Sequence, residues 1–168
     1  MTLLVGLYLA AVVAANLTIA AFGPSAAIVV AFLFIGLDLT ARDRLHDAWR
    51  GRQLVLRMGA LIAAGGALSY LLNAASGPIA VASTVAFVAA ATTDGVVYAL
   101  LGERSRMLRI NGSNVVSSGV DSLVFPTLAF GGFLPLIVVG QFVAKVAGGF
   151  AWSLVIARDD LPLRRRPA

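Results

Sequence analysis

Six apolar runs, parted by short polar or Gly/Pro breaks, set the pattern of the chain. The first, Leu3 to Phe22, holds about 20 residues, the length a helix needs to cross a bilayer. Gly23-Pro24 signals a tight turn, and Ser25 to Leu39 makes a second run. From Thr40 to Gln53 the chain is polar, with Arg42, Asp43, Arg44, His46, Asp47, Arg50 and Arg52. Leu45 and Trp49 stand four apart there, so this connection reads as a cytoplasmic loop holding a short amphipathic helix on the interface. Leu54 to Asn73 is the third run, closed by Ala74-Ala75-Ser76-Gly77-Pro78, and Ile79 to Leu101 is the fourth. Gly102 to Gly112 is polar again, Ser113 to Gly131 is the fifth run, and Phe133-Leu134-Pro135 turns into the sixth, Pro135 to Ala157. Residues 158–168 form a basic tail.

The pattern predicts one all-α integral membrane domain over residues 1–168, a bundle of six transmembrane helices. The first run lacks a basic leader and is longer than the apolar part of a signal peptide, so it reads as a retained helix. Charge sets the orientation. The turns at Gly23, Ser76 and Gly132 carry none, whereas residues 40–53, residues 102–112 and the tail carry nearly all of it. Basic loops stay on the cytoplasmic side, which puts both termini in the cytoplasm.

Composition agrees. With 60% hydrophobic and 12% charged residues and a mean hydropathy of +0.92, a water-soluble fold of this length could not hide its apolar surface. There is no cysteine, which excludes disulfides and thiolate chemistry. The net charge of +5 comes almost wholly from arginines at the ends of apolar runs. That placement suits contact with lipid headgroups and leaves no basic domain for nucleic acid. Small-residue rows, Gly59-Ala63-Ala67 and Ala144-Gly148, suit close helix packing within one chain and leave a homo-oligomer open. A division into three plus three spans would give halves of opposite orientation, although the halves share no evident sequence.

The chemistry lies in polar residues inside the spans. In the fifth, Asn114, Ser118, Asp121 and Phe125 recur at helical spacing on one face, with Ser117 on its flank. Asp38 ends the second span. Asp94 lies roughly 10 Å before the end of the fourth and Asp121 roughly 12 Å after the start of the fifth, measured from the same side at the rise of a helix. Lys145 stands near the middle of the sixth. Charges facing lipid cost a few kcal/mol each, so Asp94, Asp121 and Lys145 are expected to turn inward toward one another, around a water-accessible chamber. A purely structural ion pair would leave one carboxylate unexplained. Asn16, Gln141 and Thr92-Thr93 add neutral donors and acceptors, and Tyr98, Phe125, Phe130, Phe142 and Trp152 add aromatic faces suited to a flat, nitrogen-rich solute. Pro126, in the fifth span, is expected to free the Ser122 carbonyl and kink the helix.

Enzymatic signatures are missing. Lys145 is followed by valine, so there is no phosphate-binding loop. His46 has no metal-spaced partners, no serine has a histidine placed to activate it, and Asp94-Gly95 lacks further spaced aspartates. No catalytic residue, metal or cofactor is expected.

The run Arg109-Ile-Asn-Gly-Ser-Asn-Val-Val-Ser-Ser-Gly-Val-Asp121-Ser-Leu-Val-Phe125, then Ala-Phe-Gly-Gly and Gln141-Phe-Val-Ala-Lys145, resembles the queuosine precursor transporter family, also called VUT, for vitamin uptake transporter. Ala15-Asn16-Leu, Asp38 and Asp94 match it as well. The resemblance implies a six-helix protein of the bacterial inner membrane that imports a 7-deazaguanine such as preQ0, preQ1 or queuine. By that likeness Asn16, Asp94, Asn114, Ser118, Asp121, Gln141 and Lys145 are substrate-binding residues, with Tyr98, Phe125 and Phe142 added from the aromatic reading. Members carry Asp-x-x-x-Glu after the second span. Here Asp38 is followed by Arg42-Asp43, so Asp38 and Asp43 are the candidates for coupling. Two rival readings stand beside this one: a substrate-binding subunit of an energy-coupling-factor importer, and a structural membrane protein whose buried charges only join helices.

Overall fold

The computed structural model describes residues 2–49 and 53–157, without the side chains of residues 43, 46, 47, 106, 107, 109–111, 153, 156 and 157. Asp43, named above for coupling, and the basic tail therefore lie outside the described side chains. The described residues are helical, with short turns and no strand. Helix α1 spans Thr2–Phe22, and a 3-10 turn, Gly23–Ala26, reverses the chain. A positive φ of 62° at Gly23 opens this turn, a conformation that costs glycine nothing and Pro24 then fixes. The next rod is continuous: α2 (Ala27–Val30), a π-helical turn (Ala31–Ile35), then α3 (Gly36–Trp49). After it come α4 (Leu54–Leu72), α5 (Gly77–Leu100), α6 (Arg106–Ala129) and α7 (Pro135–Ala157).

Four described stretches are long and apolar enough to cross a membrane: Thr2–Arg42, Leu54–Leu72, Ala74–Leu100 and Pro135–Trp152. The first holds 41 residues, about 60 Å if straight and twice the hydrocarbon thickness. It is not straight, because α3 returns to pack along α1. Helix α6 falls outside the four because Ser113, Asn114, Ser117, Ser118, Asp121 and Ser122 dilute its apolar character.

Residues 40–49, expected to leave the second span for the interface, instead prolong α3. The reason is a stripe, Ala41, Leu45 and Trp49, spaced by four and buried against Tyr8, Met58 and Leu61. Neither Gly nor Pro interrupts the helix after Gly36. Likewise α6 begins at Arg106, inside the stretch read as loop, where the Ser105 hydroxyl caps it by accepting from the Leu108 N–H at 3.4 Å. It then runs through Pro126 without interruption, and the Phe130 N–H closes it on the Pro126 carbonyl at 3.0 Å.

Association of these helices rests on close packing, since the hydrophobic effect does not operate between helices in lipid. Bulky residues such as Val55, Leu71, Leu72, Leu100 and Leu136 point outward. Small ones meet inside. Gly36 and Gly148 face each other so closely that a Cβ on Gly36 would lie 2.6 Å from the Gly148 carbonyl carbon. A Cβ on Gly148 would collide with the Phe32 carbonyl, and one on Gly140 with Ile28. One residue further along α7 than Gly148, the Gly149 carbonyl accepts from Thr40 Oγ1 at 3.5 Å. At the same crossing the Trp152 indole N–H donates to the Leu33 carbonyl at 2.8 Å, inside the π turn. The Ala144-Gly148 row thus packs within the chain. Gly59, Ala63 and Ala67 on α4 are exposed instead.

Candidate functional site

One cavity lies between α1, the α2–α3 rod, α4, α5, α6 and α7, with about 930 Å³ free of protein atoms including its open mouth. Small-molecule sites span roughly 300–1,000 Å³. Tyr8, Val12, Ala15, Asn16 and Ile19 line it from α1, at the spacing of a single helix face. Asp38, Leu39 and Arg42 enter from α3, Phe87 and Ala90 from α5, Ser117, Ser118, Asp121 and Phe125 from α6, and Gln141 with Lys145 from α7.

Its polar centre is Lys145. The ammonium Nζ donates to Asp121 Oδ2 at 2.6 Å and to Gln141 Oε1, one turn before it, at 3.1 Å. Lys145 and Gln141 are 2% and 1% exposed, whereas the Asp121 side chain keeps 22% of its surface open. An ammonium has three donors and a carboxylate about four acceptor positions, so the cluster retains bonding capacity after these two contacts. Across the cavity Asn16 Nδ2 donates to Ser69 Oγ at 3.1 Å, tying α1 to α4. Ser69 donates in turn to the Gly65 carbonyl at 2.7 Å, which fixes the acceptor. Asn16 is 3% exposed and lines the cavity. At the far end Tyr8, Asp38 and Arg42 share the lining.

The expected convergence of three charges is met by two. Asp121 and Lys145 join, while Asp94 lines an adjoining recess between α4, α5 and α6. On α5, Phe87, Ala90 and Asp94 follow one face, and Asp94 lies a full turn beyond Ala90, which lines both spaces. Asn114 goes with Asp94, and Ser117 belongs to both linings. Tyr98 and Phe142 line neither; Phe142 instead stands beside Gly119 at the α6–α7 contact. Phe125 does line the cavity and meets Phe130 edge to face with centroids 6.1 Å apart.

Sequence reasoning passed over Tyr8, Arg42, Ser69 and Phe87. Tyr8 could have been found from its i, i+4, i+8 spacing to Val12 and Asn16, and Arg42 from its position one turn after Asp38. Its guanidinium stands 5.1 Å over the Phe87 ring. Arg57, another cation within a span, lies 5.7 Å over Trp49. Among the described residues no group of acidic or histidine side chains is placed to hold a metal ion.

A chamber of paired charges, amides and an aromatic face between apolar helices suits the capture of a small polar solute. A family model described as "Putative vitamin uptake transporter" matches residues 4–163, nearly the whole chain. The chain belongs to the vitamin uptake transporter family. No curated protein and no solved structure matches it. Membership in that family together with the apolar helices makes this vitamin uptake transporter homologue a multi-pass membrane transporter rather than an enzyme.

Proposed function

We propose that this transporter imports a queuosine precursor, a 7-deazaguanine such as preQ0, preQ1 or queuine, across a bacterial inner membrane. The observation that carries the reading is the Asp121–Lys145–Gln141 cluster, buried in the bundle yet opening onto the cavity. A guanine-like edge presents adjacent N–H donors, which the carboxylate of Asp121 can accept together, while the carbonyl beside them takes a donor from Lys145. Asn16, Ser118 and Gln141 supply the remaining polar contacts, and Phe125 offers a ring face to the flat bicycle.

Six passes fit this arrangement. Thr2–Arg42 doubles back into two, and α6, although polar, is flanked by α5 and α7 and carries its polar residues toward the cavity. Charge asymmetry between the loops then leaves both termini in the cytoplasm.

The test is uptake of labelled preQ0 and preQ1 in cells lacking their own importer, with a thermal-shift panel on purified protein. A 7-deazaguanine should raise the melting temperature, since ligand that binds only the folded state stabilises it. Guanine, pyrimidines and water-soluble vitamins complete the panel, the last because the family description favours a vitamin. Asp121→Asn should lower uptake at least tenfold, the equivalent of about 1.4 kcal/mol. A shift with a vitamin alone would replace the solute, and no shift with any compound would leave the buried charges a structural role.

A further inference from the structure

Asp94 occupies a recess of its own, beside the solute cavity. Its Oδ1 is buried and has no hydrogen-bond partner. The polar side chains lining the recess beside Asp94 are Arg42 from α3, Thr92 from α5, and Asn114 and Ser117 from α6; α4 contributes only apolar residues and Gly59. Arg42 is the single charged group facing Asp94 among the described residues of that lining. The nearby hydroxyls are committed: Thr92 donates to the Val88 carbonyl at 2.8 Å and Thr93 to the Ala89 carbonyl at 2.9 Å. A buried carboxylate oxygen left unfilled beside a largely apolar lining is most simply satisfied by the smallest cation, a proton.

Arg42 links this recess to the solute. It lines both spaces, stacked on Phe87, which also lines both, and it follows Asp38 by one helical turn. We propose that Asp94 is the proton-carrying group of the transporter and that Arg42, shared between Asp94 and the Asp38 end of the cavity, transmits its charge state to the solute. An ionised Asp94 draws the guanidinium toward the recess. A proton on Asp94 removes that attraction and leaves Arg42 to Asp38, so loading one site alters the other. The proton comes from water on one face and returns to water on the other; only an O–H bond forms and breaks.

This inference rests on the import reading, and the two are separated by measuring the full chain in proteoliposomes in two modes with labelled preQ0. Counterflow exchange reads the solute site alone, whereas net accumulation under an imposed pH gradient reads coupling. At one proton per solute, a gradient of about one pH unit supports about tenfold accumulation. Asp94→Asn should keep counterflow and lose accumulation, and Asp94→Glu, which retains a titratable group, should keep both. Asp94→Ala serves as the second neutral variant should Asp94→Asn not fold. Accumulation by Asp94→Asn equal to that of the unaltered protein overturns the assignment. So does accumulation in the unaltered protein that follows a sodium gradient instead, or that ignores pH while counterflow proceeds. Counterflow lost in Asp94→Asn and Asp94→Glu alike would move Asp94 into the solute site and overturn it too. Absence of counterflow in the unaltered protein removes the import reading and the coupling inference with it.

Discussion

The two sides of the bundle are built on different principles. Where the α2–α3 rod crosses α7, backbones touch through Gly36 and Gly148, the Trp152 indole holds the Leu33 carbonyl, and the adjacent charge is paired at 2.6 Å. Where α4 meets α5, Gly59 has no neighbouring atoms within 4 Å of its Cβ position, small residues are exposed, and the nearby carboxylate of Asp94 keeps an unfilled oxygen. One side is locked by backbone contact and an ion pair. The other holds space and an uncommitted charge, which is what a moving part requires.

The contrast can be broken most forcefully at Lys145. Lys145→Ala strands Asp121 and Gln141, and thermal unfolding in detergent should show a loss of about 3–5 kcal/mol. Asp94→Asn strands no partner and should leave the melting temperature unchanged. An equal loss from both would erase the distinction between the sides. Next in size, Gly148→Val forces the α7 backbone away from Phe32 and should cost about 2 kcal/mol, as overpacking does. Ser69→Ala removes the acceptor of the Asn16 amide and should cost about 1–2 kcal/mol, read in the same unfolding assay. The smallest effect has the opposite sign. Gly59→Ala meets no atom and should raise stability by about 0.5 kcal/mol through helix propensity.

Much of this architecture could be read before any coordinates. Apolar runs locate the helices because a span needs a fixed length, and Gly23-Pro24 marks a turn because few other pairs adopt it. The polar stripe of α6, Asn114, Ser118, Asp121 and Phe125 at helical spacing, was equally visible, and its last three members line one cavity while Asn114 lines the adjoining recess. Three features were not legible. The separation of Asp94 from the cavity lining, one turn beyond Ala90 on the same face of α5, depends on how that helix seats against α6 rather than on its own sequence. The continuation of α3 through residue 49 was obscured by charge, although Ala41, Leu45 and Trp49 carried the apolar period. The π turn over Ala-Phe-Leu-Phe-Ile has no local signature at all; its irregular carbonyls are accommodated by α7, more than a hundred residues later.

That turn is in effect one extra residue threaded into an otherwise regular rod. At 3.6 residues per turn, deleting it would spin everything downstream by about 100°. Asp38 and Arg42 would then swing off the chamber wall while every contact upstream of Ala31 stayed in place. The aim of two charged side chains is thus set by a single inserted peptide unit, far cheaper to gain or lose in evolution than a rearranged helix.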